Sequence, residues 1–196
     1  MNAAVFFQKH GRGFINTVLK KLYFLIFIRN DKARVKYLRD AGASIGKNVH
    51  IAKIDQIGTE PFLVSIGDNV FFSGTETQLI THDGGVSQTY LMGISTHKYD
   101  CFGKITIGNN CFIGMRSIIL KDVNIGDNCI IGAGSVVTKD IPSGSVACGV
   151  PARIIETVEE YYNKNKTKVD DTIGWNTYNK RKYLENKGTV EVHCDD

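Results

Sequence analysis

Proline is scarce in this sequence: three residues in 196, beside 20 glycines. That excludes a collagen-like or proline-rich disordered chain and leaves the glycines with another use. Apolar residues make up 42 %, enough for a core. Long apolar runs are missing. The stretch "LYFLIFI" (Leu22–Ile28) spans seven residues, where a membrane span needs about 20. "RNDK" follows it instead of a small-residue cleavage site, so neither a transmembrane helix nor a signal peptide is expected. A helix over 14–28, buried or lying on an anionic membrane surface, fits better.

There is no CxxC pair. The five cysteines (Cys101, Cys111, Cys129, Cys148, Cys194) are odd in number. Reduced thiols and a cytoplasmic location are expected. "EVHCDD" (Glu191–Asp196) gathers possible ligands at a chain end but lacks zinc-type spacing, and no metal is expected. Negative charge is nearly absent from residues 1–44, which carry nine Lys/Arg against Asp31 and Asp40. Such a segment is a solvated helix face or meets anionic lipid, nucleic acid or a phosphorylated substrate. A peripheral membrane contact is the partner retained; a nucleic-acid partner is not expected.

What the chain has in abundance is a six-residue repeat. From Ile107 it reads "IGNNCF", "IGMRSI", "ILKDVN", "IGDNCI", "IGAGSV", "VTKDIP". Every block opens on Ile or Val, and the fifth place is small or aliphatic. Upstream, "IGKNVH", "IAKIDQ" and "IGTEPF" start at Ile45, Ile51 and Ile57; "IGDNVF" and "FSGTET" follow from Ile66 and Phe72. This period fits a short strand plus a turn, repeated. Three units close a triangular coil of 18 residues, with the first residue inward and Gly or Asn at the corner. Coils stack about 4.8 Å apart. Cys111 and Cys129, 18 residues apart, then stack inside as structural thiols. Further helices are expected over 31–41, 156–166 and 175–186.

From Ile45 to Ile155 the chain resembles the hexapeptide-repeat acyltransferases, above all in "IGDNCIIGAGSVVTKDIPSGSVACGVPARII" (Ile125–Ile155). Sugar and polysaccharide O-acetyltransferases of the maltose/galactoside type are nearest in pattern. The resemblance implies a mainly β chain: a left-handed parallel β-helix with N-terminal helices and a C-terminal helical extension. The expected division is a basic helical segment 1–44, a β-helix 45–155 with a loop at about 84–106, and an extension 156–196. It also implies a homotrimer, acetyl-CoA as donor and a carbohydrate acceptor.

The loop follows from counting. Ile107 lies 41 residues beyond Ile66 and one coil takes 18, so 23 are extra. Loops this long in a compact domain are usually functional or disordered. His82, in "ITHDGG", stands where the coil ends and the loop begins. Acyl transfer to a hydroxyl needs a base for the departing proton, and imidazole suits that near neutral pH. In the resembling family a His at this lip is the base, which makes His82 the catalytic candidate over His10, His50, His97 and His193. Glu60 is fourth in its block and His82 is counted fifth, 22 residues on. Glu60 can thus lie one coil below, orienting the imidazole or binding substrate, or else pack against Pro61. Asp83 serves catalysis or turns the chain with Gly84 and Gly85.

The resemblance also implies donor contacts at Met115, Ala133, Thr138, Lys139 and Arg153. Phe112 stands where such enzymes often carry Trp beside base and sugar. Phenylalanine keeps the apolar face and loses the indole donor. A γ-type carbonic anhydrase shares the fold, but the His spacing here does not suit zinc. A serine or antibiotic O-acetyltransferase, or a non-catalytic scaffold, remains the alternative.

Overall fold

The computed structural model describes residues 30–188. The expected helix over 14–28 and the "EVHCDD" end lie outside them. In chain order the elements begin with α1 (Asp31–Asp40), β1 (Ser44–Ile45), β2 (Val64–Ile66), β3 (Phe71–Phe72), β4 (Gln78–Ile80) and α2 (Gly85–Leu91). Then come β5 (Ile105–Ile107), β6 (Phe112–Ile113), β7 (Ile118–Leu120), β8 (Asn124–Ile125), β9 (Ile130–Ile131) and β10 (Val136–Val137). The last are β11 (Ser145–Gly149), β12 (Ala152–Thr157), α3 (Val158–Asn165) and α4 (Thr177–Asn186). Among the described residues no helix is long and apolar enough to cross a membrane.

The strands form three parallel sheets, the sides of a triangular prism. Side one is β1-β2-β5-β8, side two β3-β6-β9-β11 with β12 antiparallel at its edge, and side three β4-β7-β10. The block-opening residues meet inside. Ile66, Ile107 and Ile125 line side one, Phe72, Ile113 and Ile131 side two, Leu79, Ile119 and Val137 side three. Each buried side chain of this kind is worth about 1.5–3 kcal/mol relative to exposure, so a column of them holds the coils in register. Cys111 and Cys129 are buried at the fifth place, and their thiols point at the Gly126 and Pro142 carbonyls.

The corners differ. Between sides one and two the fourth residue of each block is left-handed: Asn48, Asn69, Asn110 and Asn128 have φ of 52, 57, 55 and 56°. Asparagine tolerates that region. Its side chain adds a rung: each amide nitrogen donates to the next oxygen at 3.0, 3.0 and 2.9 Å. Glycine serves where backbones touch; a Cβ on Gly114 would sit 2.5 Å from the Ala133 nitrogen.

The corner between sides three and one is irregular. A regular passage takes six residues, as from Ile119 to Ile125. In the first coil Ile57 to Ile66 takes nine, through a 3-10 turn at Pro61–Leu63. In the second, Leu79 to Ile107 takes 28 and carries α2. In the fourth, Val137 to Ile141 takes four, since Ile141 bridges to Ile125. Ile141 therefore opens a new side instead of standing fifth in its block. Strand β5 begins at Ile105, so the loop closes before 105, and β12 carries the last sheet to Thr157 before the helix starts.

One further residue is inserted between sides two and three. Phe72 pairs with Ile113 and Leu79 with Ile119, so seven residues replace six. Leu79, not position 78, opens the block, and His82 is fourth in it, not fifth. Gly74, left-handed at φ 76°, lies in the longer turn.

Helix α1 packs on the first coil through Val35 and Leu38. The Asn30 side chain caps it by accepting from the Ala33 N–H at 3.0 Å. Asp31 binds the His50 ring at 2.6 Å and Arg34 at 2.6 Å. Burial alone would raise the Asp31 carboxyl; the Arg34 and His50 hydrogen bonds outweigh it and hold it below its ordinary value.

The chain divides into two compact units, Met1–Tyr161 and Tyr162–Asp196. In the second, Asn176 caps α4, Tyr183 donates to Asp170 at 2.8 Å, Lys187 pairs with Asp170, and Trp175 meets Tyr183 edge-on.

Candidate active site

The irregular corner gathers the candidate residues Glu60, His82 and Asp83. At a regular corner the fourth residue turns left-handed, as Asp122 does at φ 63°. Glu60 and His82 hold that place in the first two coils, where the chain leaves the coil instead. Glu60 has φ −116°, and His82 forms an antiparallel bridge with Phe102. Freed from turning the chain, the two side chains stack like the asparagine rungs. The Nδ1 of His82 lies 3.0 Å from Oε2 of Glu60.

Glu60 is well held. Its Oε1 accepts from the Thr59 hydroxyl at 2.5 Å and its Oε2 from the Thr81 hydroxyl at 2.6 Å. Burial pushes this carboxyl up, but the hydrogen bonds from Thr59, Thr81 and His82 prevail and hold it below the ordinary glutamate value. An ionised carboxylate only accepts, so Nδ1 of His82 is the donor in this contact; in the neutral ring that leaves the lone pair on Nε2. The ring is about half exposed, at 46 %, with its edge toward Phe102 at a centroid distance of 6.2 Å.

The loop returns beside it. The Asp83 N–H donates to the Cys101 carbonyl at 2.8 Å and the Gly103 N–H to the Thr81 carbonyl at 2.9 Å. Oδ1 of Asp83 accepts from the Gly85 N–H at 2.8 Å, which turns the chain into α2. Two cavities meet at His82 and Asp83. One, of about 470 Å³, is walled by Ile80, Leu120 and Lys121. The other, of about 220 Å³, is walled by Glu60, Asp100, Cys101 and Phe102.

The remaining candidates fall into two groups. Met115 and Ala133 occupy the corner between sides two and three, one coil apart, where the Gly134 N–H donates to the Met115 carbonyl at 2.8 Å. Thr138 and Lys139 are exposed at the opposite edge of side three, directly after β10. Side three thus lies between these pairs, with His82 at the Thr138 edge. Phe112 and Arg153 lie instead on side two. Phe112 stacks on Phe71 at 6.0 Å, Phe71 stacks on His50 at 4.5 Å, and the Arg153 guanidinium donates to the Ala152 carbonyl. Within one chain neither lines a cavity at His82.

Sequence reasoning passed over Thr59, Thr81, Asp100, Cys101, Phe102 and Lys121. Coil counting could have found Lys121, since β4 and β7 pair with an offset of 40 and put it above Thr81. Nothing periodic marks Asp100–Phe102, which arrive through loop closure. Among the described residues no group of three His, Cys, Asp or Glu could hold a metal ion.

The sequence model of the bacterial transferase hexapeptide family (six repeats) matches residues 104–139. Protein CapG of Staphylococcus aureus is 38 % identical over 174 residues, covering 86 % of this chain and 96 % of CapG. Galactoside O-acetyltransferase of Escherichia coli (strain K12) is 38 % identical over 139 residues, 66 % of each chain. A solved galactoside acetyltransferase in complex with coenzyme A matches with a TM-score of 0.50 at 28 % identity, covering 67 % of this chain and 73 % of that one. Repeat, strand register and relatives agree: the chain belongs to the hexapeptide-repeat acyltransferases, built on the left-handed parallel β-helix.

Proposed function

We propose that this protein is an acetyl-CoA-dependent O-acetyltransferase that acetylates a carbohydrate hydroxyl, with His82 as general base. The observation that carries the reading is the Glu60–His82 pair at the junction of two cavities. Glu60 fixes the tautomer, and Nε2 takes the hydroxyl proton as the acceptor oxygen bonds to the acetyl carbon. The C–S bond breaks, and the imidazolium returns its proton to the departing thiolate. Transfer is direct, in a ternary complex. Acetyl-CoA supplies the activated thioester. The larger cavity suits its arm: Ile80 and Leu120 are apolar walls, and the exposed Lys139 offers a cation toward phosphate. Met115, Ala133 and Thr138 border the same side. The names of the galactoside relatives support both donor and acceptor class.

A homotrimer is part of this reading. Phe112 and Arg153 stand on side two, away from their own His82. A second copy placing its side two against side three brings them to the site. Free thiols at Cys101, Cys111, Cys129 and Cys148 support a cytoplasmic enzyme, and the charge of residues 1–44 supports contact with an anionic membrane surface. The test is coenzyme A release over an acceptor panel of sugars, nucleotide sugars and serine. Release with a sugar that disappears in His82→Ala supports the reading; serine as the preferred acceptor, or turnover surviving the substitution, rejects it.

A further inference from the structure

The two cavities beside His82 differ in charge. The larger carries Lys121. The smaller carries three carboxylates, Glu60, Asp83 and Asp100, and no Lys or Arg among its described lining residues. Two of the three are committed. Glu60 accepts from Thr59, Thr81 and His82, and Oδ1 of Asp83 accepts from the Gly85 N–H. Asp100 has no hydrogen-bond or ion-pair partner among the described residues and is exposed at the returning end of the loop. The nearest cation does not offset it. Lys121 approaches the Cys101 thiol, yet its charge is matched by Asp122 at 2.9 Å. Thr59, Gly84, Cys101, the Phe102 ring and His82 itself complete the lining.

We propose that Asp100 holds the acceptor sugar and sets its charge class. Its free oxygens accept from vicinal hydroxyls or an ammonium group, while a carboxylate or phosphate on the acceptor is repelled. The site therefore takes a neutral or 2-amino sugar in preference to a uronate or sugar phosphate. This rests on the reading of His82 as the transfer site. It goes beyond it by naming the residue and the charge that select the acceptor.

The test uses the full chain and the methyl glycosides of glucose, glucosamine and glucuronate. Binding is read by saturation-transfer NMR and turnover by coenzyme A release. In the wild type, glucuronate is expected to bind about tenfold or more weakly than glucose, as a like charge at a binding surface dictates. Asp100→Asn narrows the gap to about threefold or less, and Asp100→Lys reverses the order. Both variants keep the wild-type circular dichroism. Raising the ionic strength from about 0.01 to about 1 M shrinks the screening length from roughly 30 to 3 Å. It narrows the wild-type gap and leaves Asp100→Asn unchanged, which a merely structural role does not produce. Equal binding of glucuronate and glucose by the wild type, an unchanged ranking in Asp100→Asn, or no sugar binding at all overturns the proposal. Charge-ranked binding without acetyl transfer sinks the transferase reading alone; acetyl transfer without charge ranking sinks this one alone.

Discussion

Two corners of the same prism use the same stacking for opposite ends. Between sides one and two, Asn48, Asn69, Asn110 and Asn128 turn the chain and bond to one another at about 3 Å. Between sides three and one, Glu60 and His82 hold the same place in their blocks and the same spacing, 3.0 Å. The first ladder is uniform because every passage takes six residues. The second exists because two passages are longer, and the extra chain relieves the fourth residue of turning. A side chain that need not be Asn or Gly is then available for chemistry. A solenoid tolerates this because each coil contacts only its neighbours, so an insertion at one corner leaves the others undisturbed.

Removing one side chain at a time from each ladder separates their roles. His82→Ala is expected to lower acetyl transfer by roughly 10²–10⁴-fold, the range for a lost general base. Its melting temperature should stay near that of the wild type and coenzyme A binding should persist, read by calorimetry. Turnover within a few-fold of wild type would show that this ladder is structural too.

Glu60→Gln comes next. The amide no longer fixes Nδ1–H, and kcat should fall about 10–100-fold with KM little changed, as when the partner of a functional histidine is lost. The pH dependence of stability sharpens the point. The Glu60 carboxyl is held below its ordinary value in the fold. Its contribution is therefore full above the unfolded value and is lost as pH falls through the folded one. The difference in melting temperature between wild type and Glu60→Gln should be constant near neutrality and close on acidification below about pH 4.5. A gap that widens in acid contradicts the assignment.

The smallest effect belongs to the other ladder. Asn110→Ala loses two side-chain hydrogen bonds and puts alanine at positive φ. About 2–3 kcal/mol of stability should go, with activity per folded molecule unchanged. Asn110→Gly removes the rung without the strain and should cost less. Thermal denaturation of the pair separates the two contributions; a loss of activity in either folded variant would tie the ladders together.

Much of this was legible in the residues. The six-residue period reports the fold directly because each block must point one aliphatic side chain inward; Ile107 through Val137 do so without exception. The Glu60–His82 neighbourhood followed from counting coils. The count misplaced His82 by one, because the inserted residue hides in "SGTETQ", where Thr77 and Gln78 give no apolar marker before Leu79. Ile141 was misread for the opposite reason: an aliphatic residue sits at both the fifth place and the start of a shortened block. Asp100, Cys101 and Phe102 were invisible, since their position depends on backbone hydrogen bonds that close a long loop onto Thr81 and Asp83. Such bonds are indifferent to side-chain identity and leave no pattern.

Trp175 has a practical consequence. It is the only tryptophan in the chain, and it lies in the second unit, edge-on to Tyr183 at a centroid distance of 5.6 Å. Fluorescence excited at the red edge of indole absorption therefore watches that unit alone, and the β-helix is dark in the same channel. Far-ultraviolet dichroism sums the strands and helices of both units. Recorded on one sample, a fluorescence transition apart from the dichroic one marks the melting of the second unit by itself.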